Sequence, residues 1–453
     1  MVITWRAVAL MGLGIGPTLL WPTSGTVLLW TALMLLIGVA DALLAASPRR
    51  VELTRAVPPS VRLGESVRST LVVTNLGRRS LRAIVRDAWP PSVAASPSMV
   101  STLRQTQGGA GSITVSSARH RVSLRPGEAI RLATPLQPAR RGDQQAGPVT
   151  IRSLGPLRVA GRQATLRVPV RLRVLPEFAS RRHLPSRLAR LRELDGSAVV
   201  QVRGEGTEFD SLREYVVGDD VRSIDWRATA RRGDVVVRTW RPERDRRVLI
   251  VLDTGRTSAT RITAGSQGVP RIEASIEAAL LLAALADRAG DRVQVLAFDR
   301  SLKACVTGAS GPRLLPGVAD ALATVHPQLL ETDWPALVAQ VRSHVSQRAL
   351  VVLLTALDPG AVENGLLRVI GELTTKHQVV VAGVADAELA VLRAGRSHET
   401  VYDAAAASRA DLERAAVAEV LRRQGAEVIE ALPESLPPRL ADTYLALKAA
   451  GRL

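Results

Sequence analysis

The hydrophobic positions of this chain change period twice. From Ala7 to Ala40 there are 34 consecutive uncharged residues, and one helix of that length would reach about 50 Å, beyond the roughly 30 Å hydrocarbon layer of a bilayer. Trp21-Pro22-Thr23-Ser24-Gly25 interrupts the run, so the pattern predicts two spans, about Ile3–Leu20 and Thr26–Ala46. Trp5, Trp21 and Trp30 lie at or near their ends, where indole rings anchor at the interface. From Val51 to Leu175 short alternating runs are separated by Gly and Pro. Val67–Leu76 reads as a strand turning at Gly77, Leu81–Asp87 as the next, and Ile130–Leu136, Val149–Ser153 and Ala164–Val174 as others. Such spacing predicts a β-sandwich of immunoglobulin-like layout, with a polar loop over Ala94–Gln107.

Beyond Arg247 the period alternates between strand and helix. Val248–Leu252 is a continuous apolar run ending at Asp253, as expected of a buried parallel strand that delivers a carboxylate to the sheet's carboxyl edge. Val235–Trp240 is expected to pair beside it. Strands over Val293–Phe298, Ala349–Thr355, Gln378–Val384 and Glu427–Glu430 alternate with helices over Arg271–Ala289, Pro335–Val345, Ala361–Thr375, Ala405–Gln424 and Leu436–Ala450, which predicts a doubly wound sheet. The organisation expected is a helical hairpin over residues 1–48, a β-sandwich over 49–176, a linker and signature segment over 177–246, and an α/β domain over 247–453.

Between Glu208 and Arg232 lie six carboxylates and five arginines. Phe209, Leu212 and Tyr215 or Val216 recur at helical spacing, so Glu208–Val217 is expected to be a short amphipathic helix, with Gly218-Asp219-Asp220 turning the chain. Ile224 and Trp226 alternate with charged neighbours, which predicts a surface element clamped to a core by its aromatics, with Arg213, Arg222 and Arg227 as forks for the acids.

This segment reads E-x-x-x-L-R-E-Y-x-x-G-D-D-x-R-x-I-D-W, carried by Glu208, Leu212, Arg213, Glu214, Tyr215, Gly218, Asp219, Asp220, Arg222, Ile224, Asp225 and Trp226. It resembles the signature of the bacterial "domain of unknown function 58" family, and Arg140-Arg141-Gly142, Gly147-Pro148-Val149 and Leu154-Gly155-Pro156-Leu157 resemble that family's pattern at the end of the sandwich. The resemblance implies an α/β von Willebrand A-like doubly wound sheet, preceded by a β-sandwich and a two-helix transmembrane hairpin, and a partnership with MoxR-type AAA+ ATPases. In von Willebrand A domains D-x-S-x-S, a threonine and a further aspartate complete a Mg²⁺ site. Here Asp253, Thr257 and Thr332 match that set, while Gly255 replaces the middle serine and Ala356 the second aspartate. The resemblance therefore implies a degenerate site that holds Mg²⁺ weakly at most, with Asp333 or Asp358 as helpers.

Composition narrows the function. The formal charge is +18, yet only three of the sixty bases are lysine (Lys303, Lys376, Lys448), arginine is spread along most of the chain and aromatics are 3%. A nucleic-acid module would cluster its bases and interleave aromatics, so no nucleic acid is expected as a partner. Arg6 before the apolar run and Arg49-Arg50 after it predict that both ends face the cytoplasm, at a plasma membrane whose lipid is the first partner. A cleaved signal peptide with an Ala-rich site near Ala40–Ala46 and a buried core hairpin are the competing readings. Cys305, the single cysteine, excludes an internal disulfide.

There is no Gly-Lys-Ser/Thr loop, no Gly-x-Ser-x-Gly elbow, no His-Glu-x-x-His and no Cys-x-x-Cys. The expectation is a non-enzymatic, membrane-anchored adaptor. The alternatives are a metal-dependent hydrolase using the acids of 208–225, or a metal-dependent adhesion protein.

Overall fold

The structure is a computed structural model that describes residues 2–93, 119–201, 208–216, 219–241, 246–264, 267–395, 397 and 399–453. Its contacts divide into two compact units, Met1–Leu175 and Pro176–Leu453. The loop expected over Ala94–Gln107, and Gly218 of the signature, lie outside the described residues.

In the first unit the apolar segment forms helices Trp5–Gly12, Ile15–Leu20 and Ser24–Leu44. Among the described residues the last is the one helix long and apolar enough to cross a membrane. It starts where Thr23, in extended backbone, accepts a bond from Thr26 N. The continuous first span expected over Ile3–Leu20 is instead broken at Leu13-Gly14. A reason is packing, because the Trp30 indole lies where a side chain at Gly14 would project. Residues 2 and 3 are a strand, β1 (Val2–Ile3), not helix.

The sandwich strands are β2 (Val51–Ala56), β3 (Ser60–Arg62), β4 (Val67–Asn75), β5 (Leu81–Asp87), β6 (Arg119–Leu124), β7 (Ala129–Leu136), β8 (Gly142–Gln145), β9 (Val149–Leu154), β10 (Ala160–Leu166) and β11 (Arg171–Leu175). Sheets β1-β10-β9-β5-β6 and β2-β4-β7 enclose one core, in which Leu71, Val73 and Leu132 meet Leu81, Val85, Val122 and Ile151. A third sheet is β3-β11-β8. The single strand expected over Ala164–Val174 is two, because Pro169 in the intervening Arg167–Val170 cannot donate to a ladder. Arg55 and Asp87 form a fully buried ion pair, 2.5 Å apart, which Ser69 and Trp89 Nε1 complete as donors to the carboxylate.

Both ends of the apolar segment are tied to the turn between β9 and β10. β1 pairs antiparallel with β10, and Thr4 N donates to Val159 O. At the other end Asp41, buried at 1% exposure, accepts from Leu157 N, Val159 N and Ala160 N at 2.8–2.9 Å. Gly155 is needed here, since a Cβ would overlap the Asp41 carboxylate. That gives Leu154-Gly155-Pro156-Leu157 its physical meaning.

In the second unit β12 (Glu208–Glu214) and β13 (Val236–Arg241) form a two-stranded antiparallel sheet of their own. The sheet behind the site comprises β14 (Arg247–Asp253), β17 (Arg292–Phe298), β18 (Leu302–Val306), β19 (Leu350–Leu354), β20 (Gln378–Val384) and β21 (Glu427–Ala431). The hairpin β15 (Arg261–Ala264) and β16 (Gln267–Pro270) lies between β14 and β17 in the chain. The order is β18-β17-β14-β19-β20-β21, parallel except for β18. Strand order thus reverses between β14 and β19, and in open α/β sheets ligands bind outside the carboxyl ends at such a switch. Helix Arg271–Arg288, buried along most of its length, covers the sheet.

Several expectations fail in this unit. Glu208–Glu214 is strand, not helix, and Val236–Arg241 pairs with it instead of with β14. A ten-residue segment is too short to hold a helix unaided, and the β-branched Val235-Val236-Val237 run offers it a partner. A bulge between Phe209 and Ser211 reconciles the apolar spacing with the ladder. The helix expected over Ala361–Thr375 is a short turn, a π segment Val362–Leu366 and helix Leu367–Thr374. Cys305 is exposed on edge strand β18, with Sγ 3.6 Å from His344 Nε2.

Candidate functional site

At the carboxyl end of β14 the Asp253 side chain is 3% exposed and surrounded by donors. Oδ1 accepts from Gly255 N at 2.8 Å and from Thr332 Oγ1 at 2.5 Å. Oδ2 accepts from Thr355 Oγ1 at 2.6 Å and from Thr257 Oγ1 at 3.3 Å. The structure therefore brings together the three residues that the sequence singles out, Asp253, Thr257 and Thr332, and adds Thr355. Thr355 ends the run Leu353-Leu354-Thr355, in register beside the end of β14, which is the signal that could have found it.

Gly255 has a structural reason. A Cβ there would overlap the Thr332 hydroxyl, so the place of the middle serine is taken by the threonine that reaches Asp253. Beside β14, Asp299 ends β17 and is fully buried, accepting from Arg300 N, Ser301 N and Thr254 Oγ1. Burial alone would raise its pKa, but these backbone bonds and Lys303 outweigh it and hold the carboxyl below its ordinary value. Asp299 was missed, although Val295–Phe298 followed by Asp299 repeats the pattern of Val248–Asp253.

Asp253, Arg256, Thr257, Glu331, Thr332, Trp334, Gly360 and Gly365 line a cavity of about 70 Å³. Oxygen donors suit a hard cation. Yet each Asp253 oxygen already receives two donors, and the rim carboxylate of Glu331 is paired with Arg256 at 3.5 Å. Asp333 instead caps helix Trp334–His344 through Ala336 N, and Asp358 lines a different cavity. Among the described residues no group of three or more His, Cys, Asp or Glu is placed to hold a metal. The residues present do not make up the donor set of a tightly bound divalent ion.

In the signature three of the acids, Asp219, Asp220 and Asp225, are engaged locally. Asp219 accepts from Arg213 Nη2 at 2.6 Å and from Val216 N, closing the turn after β12. Asp220 accepts from Arg222 N and starts the 3₁₀ turn Val221–Ser223. Asp225 caps helix Trp226–Arg232 through Arg227 N and Ala228 N and accepts from Arg238 Nε. The Ala228 N–H first, then Arg238, hold the Asp225 carboxyl below its ordinary pKa. Helix Trp226–Arg232 ends at Gly233, which has φ of 84°.

The apolar residues of the signature behave differently. Trp226 is 69% exposed, and Val216 and Val221 are exposed with it. This corrects the expectation that Trp226 clamps the element to a core: as the first residue of a surface helix it lies outside the β12–β13 ladder, and Ile224, bridged to Val237, is the half-buried anchor. The expected forks are met by Arg213 on Asp219 and by Arg238 on Asp225, whereas Arg222 and Arg227 serve their acids through backbone N–H. Leu212 and Tyr215 are half-buried, and Glu208 lies in β12 opposite Arg241.

Comparison with known proteins gives one family and weak structural likenesses. No curated protein matches. Solved structures with similar segments include the ASH/PapD-like domain of human CEP192 (16% identity, 28% of this chain and 85% of that one, TM-score 0.17). Others are Escherichia coli alpha-2-macroglobulin from domain MG7 to its C-terminus (21%, 29% and 17%, TM-score 0.20) and the CARDB domain of PF1109 from Pyrococcus furiosus (13%, 29% and 94%, TM-score 0.18). At these TM-scores nothing is built on the likeness. The family model described as "Protein of unknown function DUF58" matches residues 211–427, nearly all of the signature and most of the six-stranded sheet, and supports placing this part of the chain in that family.

Proposed function

We propose that the chain is a membrane-anchored, non-enzymatic adaptor whose von Willebrand A-like second unit presents the signature hairpin to a protein partner, a MoxR-type AAA+ ATPase. The observation that carries this reading is the exposure of Trp226 on a hairpin in which Asp219, Asp220 and Asp225 are already engaged. Exposed tryptophan beside arginine is the composition of an interface hot spot, and Arg222, Arg227, Arg231 and Arg232 surround it in sequence, favouring an acidic partner surface. The same engagement weighs against a hydrolase, because Asp219, Asp220 and Asp225 are spent as caps and turn locks. The three threonine hydroxyls around Asp253 support the von Willebrand A-like reading, with Mg²⁺ held weakly and the loop at Arg256 and Thr257 serving shape.

Helix Ser24–Leu44, about 30 Å long, supports anchoring. Trp5–Gly12 and Ile15–Leu20 form the returning half of a hairpin, and the attachment of both ends to the β9–β10 turn supports a shared side for Arg6 and Arg49-Arg50, the cytoplasm. The full chain captured from native membranes should bring down an AAA+ ATPase identified by mass spectrometry. Recovery without one would contradict the partnership. A reporter active only outside the cytoplasm, fused after Leu453, should be silent.

A further inference from the structure

Helix Ser24–Leu44 ends in a collar of arginines. The last carbonyls of a helix have no partner within it, and here two arginines from elsewhere in the sandwich supply donors. Arg79, in the β4–β5 turn, donates Nη1 to Leu43 O at 2.9 Å, and Arg162 of β10 donates Nε to Ala42 O at 2.8 Å. The same end is held to the β9–β10 turn through Asp41, while Leu76 N of the β4–β5 turn donates to Arg50 O at 3.1 Å. The chain's first residues join it, since the Thr4 hydroxyl donates to Arg158 O at 2.6 Å.

These bonds gather Arg6, Arg49, Arg50, Arg79, Arg158 and Arg162 around one helix end. All but the half-buried Arg162 are exposed, and among the described residues none of the six pairs with a carboxylate. Asp41 offers no compensation, because its oxygens are spent on three backbone N–H groups. Arg79 and Arg162 each commit one N–H to the helix, which leaves the rest of each fork for an outside acceptor. Oxygen pairs of a phosphate suit such a fork.

Apolar side chains lie among these charges. Leu43 and Leu44 in the last turn of the helix, Leu76 in the β4–β5 turn and Leu157 in the β9–β10 turn are all exposed. The helix that enters the collar is long and apolar enough to cross a bilayer, which sets what covers this surface. Exposed leucine with unpaired arginine suits the boundary between hydrocarbon and headgroups, where arginine keeps its stem in apolar surroundings and its charge among phosphates.

We infer that the collar is a binding surface for anionic phospholipid, with the headgroup phosphodiester on Arg79 and Arg162 and the other arginines setting a preference for lipid of net negative charge. The inference rests on the anchoring reading above and not on the partnership with an ATPase.

Competition against a fluorescent phosphatidylglycerol bound to the full chain in detergent tests it. Each arginine near an anionic lipid surface is worth roughly fivefold in affinity, so unlabelled phosphatidylglycerol should displace the probe at least about tenfold better than phosphatidylcholine. The preference should shrink as salt rises. Glycerol 1-phosphate, which has the charge without the chains, should leave the probe bound. Arg79→Gln combined with Arg162→Gln keeps amide donors for the helix carbonyls and should bring phosphatidylglycerol down to the level of phosphatidylcholine. Arg49→Gln combined with Arg50→Gln, which removes side chains without a bond among the described residues, should weaken phosphatidylglycerol about fivefold or more. That second pair keeps the test decisive even if the first fails to fold. Equal displacement by the two lipids, displacement by glycerol 1-phosphate as strong as by phosphatidylglycerol, or an Arg49→Gln/Arg50→Gln protein that binds like the parent would each overturn the inference and leave anchoring intact. A chain that stays dispersed without detergent and binds neither lipid would overturn the anchoring reading with it.

Discussion

Asp253 and three carboxylates of the signature, Asp219, Asp220 and Asp225, all accept hydrogen bonds, but their surroundings differ. Around Asp253 the donors are the Gly255 N–H and hydroxyls of Thr257, Thr332 and Thr355, gathered over about a hundred residues of chain, and the group is sealed at 3% exposure. In the hairpin the donors come mostly from within a few residues and the groups stay near water, while Trp226 beside them is 69% exposed. The sealed cluster holds the sheet edge in one shape. The open hairpin uses its acids to shape a short element whose apolar side chains are left for something else to cover.

If donors to a buried carboxylate fix shape, removing the acceptor should cost most where all its donors are backbone groups. Asp41→Ala strands the N–H groups of Leu157, Val159 and Ala160, and melting of the full chain in detergent should report a loss of about 2–5 kcal/mol. An unchanged melt would mean that water replaces the carboxylate freely. Thr355→Val keeps shape and removes one donor from Asp253, so about 1–3 kcal/mol is expected. A cost below half a kcal/mol would show the hydroxyl cluster to be incidental.

A surface pair should respond more weakly, and to pH. Asp143 is held at about 2, below its ordinary value, chiefly by the Arg173 hydrogen bond, which with Arg171 outweighs the opposing effect of burial. A depressed carboxyl contributes stability above its unfolded pKa and loses it as pH falls through the folded one. Since the pair is partly exposed, Asp143→Asn should cost about 1 kcal/mol or less at neutral pH, and the difference from the parent should vanish between roughly pH 4 and pH 2. A cost that persists at pH 2 would assign the effect to packing. Smaller still is the expected response to Mg²⁺. A ligand at a hundred times its dissociation constant adds about 2.7 kcal/mol, so a millimolar addition that shifts the melt by less than about 2 °C fits a site without a second carboxylate. A large shift abolished by Asp253→Ala would revive the metal-dependent alternative.

The same contrast explains what could be read from the sequence. The alternation of apolar runs in the second unit gave β14, β17, β19, β20 and β21, because buried parallel strands write themselves as continuous Val, Leu and Ile. Asp253, Thr257 and Thr332 were legible since loop ends follow from strand ends. The hairpin was misread because spacing at Phe209, Leu212 and Tyr215 fits a helix equally well, and only the distant Val236–Arg241 decides between them. Asp41 and Arg162 left no local trace, since the partners that give them meaning lie far away in the chain.

The least change in stability should accompany the largest change in binding. Trp226→Ala removes an exposed ring, so the melt should stay within about 0.5 kcal/mol of the parent, while loss of a hot spot typically costs a complex about 2–4 kcal/mol. Capture from native membranes, run side by side for the parent and Trp226→Ala with both melts recorded, tests the account most directly. The account predicts an AAA+ ATPase retained by the parent and lost from a variant that melts alike. Equal retention by both proteins, or a variant that loses several kcal/mol of stability, would contradict it.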